Sequence, residues 1–203
     1  DDVAELVLED NRLQALALSI AELHGARATP AYVRLIETLE ERGQLDRATE
    51  GLALSDQLSR RAAEGQGLTR PELAVLLSSS KLVIQDALEA SDVPDDPAME
   101  PLLFHAFPDD MRDTFADQIE GHRLRRELIA TKLANRIVNR LGVVHPFEPA
   151  EEEGVSLCQV AAAFIAVERL FDIGALWDAL DEARIPEGAR LALFDRTALA
   201  MRS

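Results

Sequence analysis

The stretch His122-Arg123-Leu124-Arg125-Arg126-Glu127-Leu128-Ile129-Ala130-Thr131-Lys132-Leu133-Ala134-Asn135-Arg136-Ile137-Val138-Asn139-Arg140-Leu141 decides how this chain is read. Leu124, Leu128, Leu133, Ile137, Val138 and Leu141 recur with helical period and cover most of the circumference. A helix apolar over so wide an arc is central and not a surface one. The pattern predicts one long helix over about 116–141, stopped by Gly142, with Leu128, Leu133, Ile137 and Val138 largely buried.

From Arg123 to Arg140 the same helix carries Arg123, Arg125, Arg126, Lys132, Arg136 and Arg140 against one acid, Glu127. That reverses the balance of the chain, which has 37 acidic and 21 basic residues and a net charge of −16. Arg125, Lys132, Arg136 and Arg140 share a narrow face. This stripe has two possible fates. It pairs with acidic helices of the same domain, or it docks on an acidic surface elsewhere in a longer protein or in a neighbouring subunit. The abundance of nearby acid favours internal pairing. Thr131, Asn135 and Asn139 form a third stripe, suited to hydrogen-bonding a neighbouring helix.

Outward from this helix the period stays helical. Leu6, Leu13, Leu16, Ala17 and Ile20 mark a first helix over about 3–24, closed by Gly25. Thr29-Pro30 reads as a cap and first turn, followed by the apolar stripe Tyr32, Leu35, Ile36 and Leu39, ending at Gly43. A more polar helix is expected over about 46–63, broken by Gly65-Gln66-Gly67. Thr69-Arg70-Pro71-Glu72 is a capping box with proline in the first turn, ahead of Leu73, Leu76, Leu77, Ser80, Ile84, Ala87 and Leu88. The Asp- and Pro-rich segment 91–97 reads as a loop and is the best internal boundary. Short helices are expected over about 98–106 and 109–115. Residues 143–154, with Pro146, Pro149 and three consecutive glutamates, read as a loop. Ser156 and Gln159 offer a second capping box, and Val160, Phe164, Val167 and Phe171 line the helix behind it. Two further helices are expected over about 173–184 and 187–202.

Composition narrows the function. Hydrophobic residues make up 47% of 203, enough for a packed core, while aromatics make up 4%. So acidic a surface disfavours nucleic acid and anionic membranes. Cys158 is the single cysteine, which fits a reducing cytoplasm. No apolar run approaches a membrane span. Gly65 and Gly67 follow no strand, so they read as a helix break and not a phosphate cradle. His24, His105, His122 and His145 show no metal-ligand spacing, and Cys158 reads as a small core residue. No catalytic, cofactor-binding or metal site is legible. The stripe of Arg125, Lys132, Arg136 and Arg140 is the one candidate docking feature. The chain opens on Asp1 and is still in helical pattern near Ser203, which reads as a piece of a longer protein.

Three stretches resemble a known family. They are Asp2–Asn11 with Gln14–Ser19, Leu68–Leu77, and His122–Thr131 continuing through Leu133–Asn135 and Val138–Arg140. Together, and in the same order, they are similar to the C-terminal helical region of the large bacterial NAD-specific glutamate dehydrogenases. The resemblance implies a parent enzyme that deaminates L-glutamate to 2-oxoglutarate and ammonia while reducing NAD. The family's dinucleotide fold, catalytic lysine and catalytic aspartate lie upstream, so no catalytic residue carries over to these positions.

The expectation is therefore an all-α, irregular orthogonal bundle of about eight or nine helices, forming a single domain over 1–203. Its role is structural and in assembly, with regulation as a further reading, and it is non-catalytic by itself. NAD serves the parent, a homo-oligomer. The partners are the upstream catalytic domain and neighbouring subunits. The rival reading is a helical interaction module of an unrelated scaffold protein.

Overall fold

A computed structural model describes residues 2–202. The order is α1 (Asp2–His24), α2 (Thr29–Glu41), α3 (Arg47–Glu50), α4 (Ser55–Ala63), α5 (Arg70–Glu89), α6 (Glu100–Phe104), α7 (Asp109–Arg112), α8 (Ala116–Glu120), α9 (Arg125–Leu141), α10 (Glu148–Glu153), α11 (Leu157–Leu170), α12 (Ile173–Glu182) and α13 (Glu187–Arg202). Among the described residues there is no strand, and eight of these helices have nine or more residues. The all-α expectation is met, and the helix number matches once single turns are set aside.

The spine is α9 packed along α5. Leu73, Leu76, Leu77, Val83, Ile84 and Leu88 of α5 meet Ile129, Ala130, Leu133, Ala134, Ile137 and Val138 of α9 in one buried cluster. Each Leu, Ile or Val among them contributes about 1.5–3 kcal/mol on leaving water, and the two alanines less. Helices α1, α6, α11 and α13 also pack on α9, as a central helix requires. Leu133, Ile137 and Val138 are buried as expected. Leu128 is only half-buried and Leu124 is exposed, because α9 starts at Arg125 and Ile129 takes the inward position.

Both capping boxes form. At α5, Glu72 accepts from the Thr69 backbone N–H at 2.7 Å and from Arg61 at 2.7 Å. At α11, Gln159 Oε1 accepts from the Ser156 N–H at 2.8 Å.

Several expected elements differ. The helix over 46–63 is two pieces. Asp46 caps α3 by accepting from Ala48 and Thr49, and Gly51 then adopts φ +70°, which ends the helix at once. The helix over 116–141 is also divided. Residues 121–124 turn between α8 and α9, with His122 Nδ1 accepting from the Leu124 N–H at 3.1 Å. Segment 109–115 is helical only to Arg112. Segment 143–154 is not all loop: α10 starts at Glu148, with Pro149 in its first turn, where the missing N–H costs nothing. Thr29 does not cap α2. The 3₁₀ turn Gly25–Ala28 runs straight into that helix, leaving Ala28 at the cap and Thr29 Oγ1 buried without a partner. Phe171 lies beyond α11, 66% exposed, and does not extend that helix's apolar face.

Segment 91–97 is pinned to the start of α9. Arg126 donates to the carbonyls of Glu89 and Ser91 at 3.0 and 2.8 Å and pairs with Asp95, while Arg125 donates to Pro94 O at 3.2 Å. A smaller cluster of Trp177, Leu180 and Phe194 joins α12 and α13 and rests on Leu16 and Ile20 of α1. This second cluster carries one flank of the candidate site.

Candidate functional site

One polar cavity, of about 370 Å³, lies where α1, α9 and α12 meet. It is built mainly from α9. Lys132, Asn135, Arg136, Asn139 and Arg140 all line it, at helical spacings of three and four residues. Glu9, Asp10 and Leu13 come from α1, Leu102 from α6, and Gly174, Trp177 and Asp178 from α12. His105 joins from the turn after α6. Burial, and then the charges of Arg112 and Arg136, hold its pKa below the ordinary histidine range.

The predicted stripe thus divides. Arg125 lies apart, on the Pro94 carbonyl. Lys132, Arg136 and Arg140 converge on the cavity, each facing one carboxylate of the same chain. Lys132 Nζ is 3.9 Å from Asp10, Arg136 is 2.9 Å from Glu168, and Arg140 Nη2 is 3.2 Å from Asp181. Arg12 reaches the other Asp181 oxygen at 3.2 Å, which ties α1 to the same acid. The Arg140 side chain is 9% exposed and its guanidinium sits 5.0 Å from the Trp177 ring and 5.5 Å from that of Phe194.

The Thr131–Asn135–Asn139 stripe does not bridge to a neighbouring helix as expected. Thr131 Oγ1 donates back to Glu127 O within α9 at 2.7 Å. Asn135 and Asn139 turn to the cavity, and Asn139 Oδ1 is buried without a partner. Glu9, Asp10, His105, Trp177 and Asp178 were not singled out from the sequence as members of a site. They come from separated elements, and only their spacing in three dimensions joins them.

A second cavity of about 500 Å³ lies across α9 and holds two histidine–carboxylate pairs. His24 Nε2 is 2.7 Å from Asp195 and His145 Nδ1 is 2.7 Å from Glu148. His122 stands edge-on to Phe107 at 5.7 Å. Among the described residues, no three His, Cys, Asp or Glu side chains gather as a metal would require. Cys158 Sγ donates to Ala87 O at 3.1 Å, half-buried against α5. Among the described residues, no helix is long and apolar enough to cross a membrane.

A family model described as glutamate dehydrogenase, C-terminal, matches residues 65–202. The chain belongs to this glutamate dehydrogenase C-terminal family. Three relatives are each called NAD-specific glutamate dehydrogenase. The one from Halomonas elongata is 38% identical over 89% of this chain, and the one from Pseudomonas aeruginosa 37% over 96%. The one from Mycobacterium tuberculosis is 32% identical over 100%. The chain spans only 11–12% of the length of these relatives. The family assignment agrees with the three stretches that carry the resemblance, two of which lie within 65–202. Within the glutamate dehydrogenase C-terminal match fall all of α9 and the α12 wall of the polar cavity. The α1 wall, with Glu9 and Asp10, lies before it.

Proposed function

We propose that this chain is the helical structural and assembly domain of a large NAD-specific glutamate dehydrogenase. The parent reaction is L-glutamate, NAD and water giving 2-oxoglutarate, ammonia and NADH. NAD and glutamate bind elsewhere in the parent, in the cytoplasm, where the reaction serves amino-acid catabolism. The observation that carries the reading is the near-complete coverage of this chain by enzymes of that name, at 32–38% identity.

The internal chemistry supports a scaffold role. Three of the four stripe cations face acids of the same chain, and the apolar arc of α9 is covered by the domain itself. Large apolar residues left outside offer a contact area for the catalytic part and for neighbouring subunits of a homo-oligomer. Leu170 and Phe171 are adjacent and 77% and 66% exposed.

Co-expression tests this. The 203-residue chain, tagged, is produced with the remainder of the parent enzyme. It should capture that remainder, while the pure chain alone should form no NADH from glutamate and NAD. Failure to capture it, or NADH formation by the pure chain above background, overturns the proposal.

A further inference from the structure

The row Lys132, Asn135, Arg136, Asn139 and Arg140 gives one cavity more hydrogen-bond donors than its acids use. Lys132 stands 3.9 Å from Asp10, beyond hydrogen-bond reach. Arg136 spends both of its contacts on a single oxygen of Glu168, through Nε and Nη2. Beneath the row, Asn139 Oδ1, Arg140 Nη1 and Trp177 Nε1 are shielded from solvent and have no partner in the protein. Asn139 is 4% exposed and Trp177 1%. Buried polar groups are nearly always bonded, so these three orphans, of which Asn139 and Arg140 also line the larger cavity, mark a place where the chain alone does not complete its own polar network. The volume, about 370 Å³, suits a small molecule.

The lining also limits the occupant. Glu9 and Asp178 are exposed where the cavity opens, and Asp10 adds a third carboxylate. They repel a polyanion, as does the net charge of −16. Leu6, Leu13 and Leu102 give the same space an apolar wall. We propose that this cavity binds a small monocarboxylate, its head on the Lys132–Asn135–Arg136 donors and its short apolar body against those three leucines. The proposal is independent of the glutamate dehydrogenase reading, since it concerns only the walls of this cavity.

The test is an amide NMR titration of the full 203-residue chain with butyrate, and separately with inorganic phosphate, at constant ionic strength. Butyrate should shift amides of residues 132–140 and 174–178 saturably, and phosphate should bind at least tenfold more weakly. Lys132→Gln should weaken butyrate at least tenfold with an unchanged melting midpoint. Should that variant fold poorly, Asn135→Asp, which sets a repelling carboxylate in the row, should have the same effect on binding. Absence of saturation, equal butyrate affinity in a folded variant, or phosphate binding as tightly as butyrate overturns the proposal.

Discussion

Arg140 lies with its guanidinium carbon 5.0 Å from the centre of the Trp177 ring, while its Nη2 reaches Asp181 at 3.2 Å. One side chain of α9 thereby holds two residues of α12, through a face of π electrons and a carboxylate. Trp177 itself stacks on Phe194 of α13 at 5.5 Å. Arg140 is thus the polar bolt between the main core and the smaller cluster. Arg140 is 9% exposed and Asp181 12%, and Asp181 keeps Arg12 at 3.2 Å when Arg140 is removed. Arg140→Ala should cost about 1.5–3 kcal/mol in denaturant unfolding, the scale of a hydrogen bond to a charged group. A loss below 1 kcal/mol would mean that the two clusters adhere without it.

Arg136 tests the fate of the basic stripe. It is 41% exposed and its acid, Glu168, 12%. Arg136→Glu sets two carboxylates against each other and should lower the melting midpoint of the isolated chain by about 2–4 °C, the scale of 1 kcal/mol at this size. Equal midpoints would remove internal pairing as its role and favour docking on another domain or subunit.

Leu133 and Ile137 are each 1% exposed in the α5–α9 seam. Either one changed to Ala should cost about 2–5 kcal/mol by urea unfolding, with helix content kept. A cost under 1 kcal/mol would place the spine elsewhere.

Much of this was legible in residues 122–141, because a helix buried on several sides writes its burial into every turn. Leu133, Ile137 and Val138 follow the period, and Thr69–Glu72 announces its cap through residue types alone. The misses have local causes. Asp46 and Gly51 cut one expected helix, since a cap and a left-handed glycine outweigh a continuing polar pattern. The turn at 121–124 cut another and moved Leu124 outward. Thr29 has the residue type of a cap, yet the preceding turn is already helical and leaves it none to make. The cavity was half legible: its α9 row stood out, while Glu9, Asp10 and Trp177 are joined to it only by packing.

Glu72 links the first capping box to pH. Burial raises its pKa, but hydrogen bonds from Arg61 and Thr69 outweigh this and leave the carboxyl below its usual range. A depressed carboxylate stabilises the fold above its unfolded pKa, about 4.3, and loses that contribution as pH falls through the folded value. Thr69→Ala should cost about 1 kcal/mol at pH 7. Glu72→Gln should flatten part of the loss of stability below about pH 4.5. Unchanged acid unfolding in Glu72→Gln would contradict this.

Lys81 gives a slope of the same sign in the alkaline range. Its Nζ is buried without a hydrogen-bond partner, and burial, offset in part by Asp10, lowers its pKa to about 8. Between about 8 and the unfolded value near 10.4 the unfolded chain binds the extra proton, so stability should rise with pH. Lys81→Met should raise the melting midpoint at pH 7 and remove that rise. A lower midpoint would show that the ammonium is needed where it stands.

We propose that this helical unit supports assembly of a glutamate-oxidising enzyme without taking part in the chemistry. Light scattering and NADH formation are to be measured together on the full-length parent with and without this region. Deletion should lower the number of subunits in the assembly and, with it, the rate. A deletion enzyme with the same number of subunits and full activity overturns the proposal.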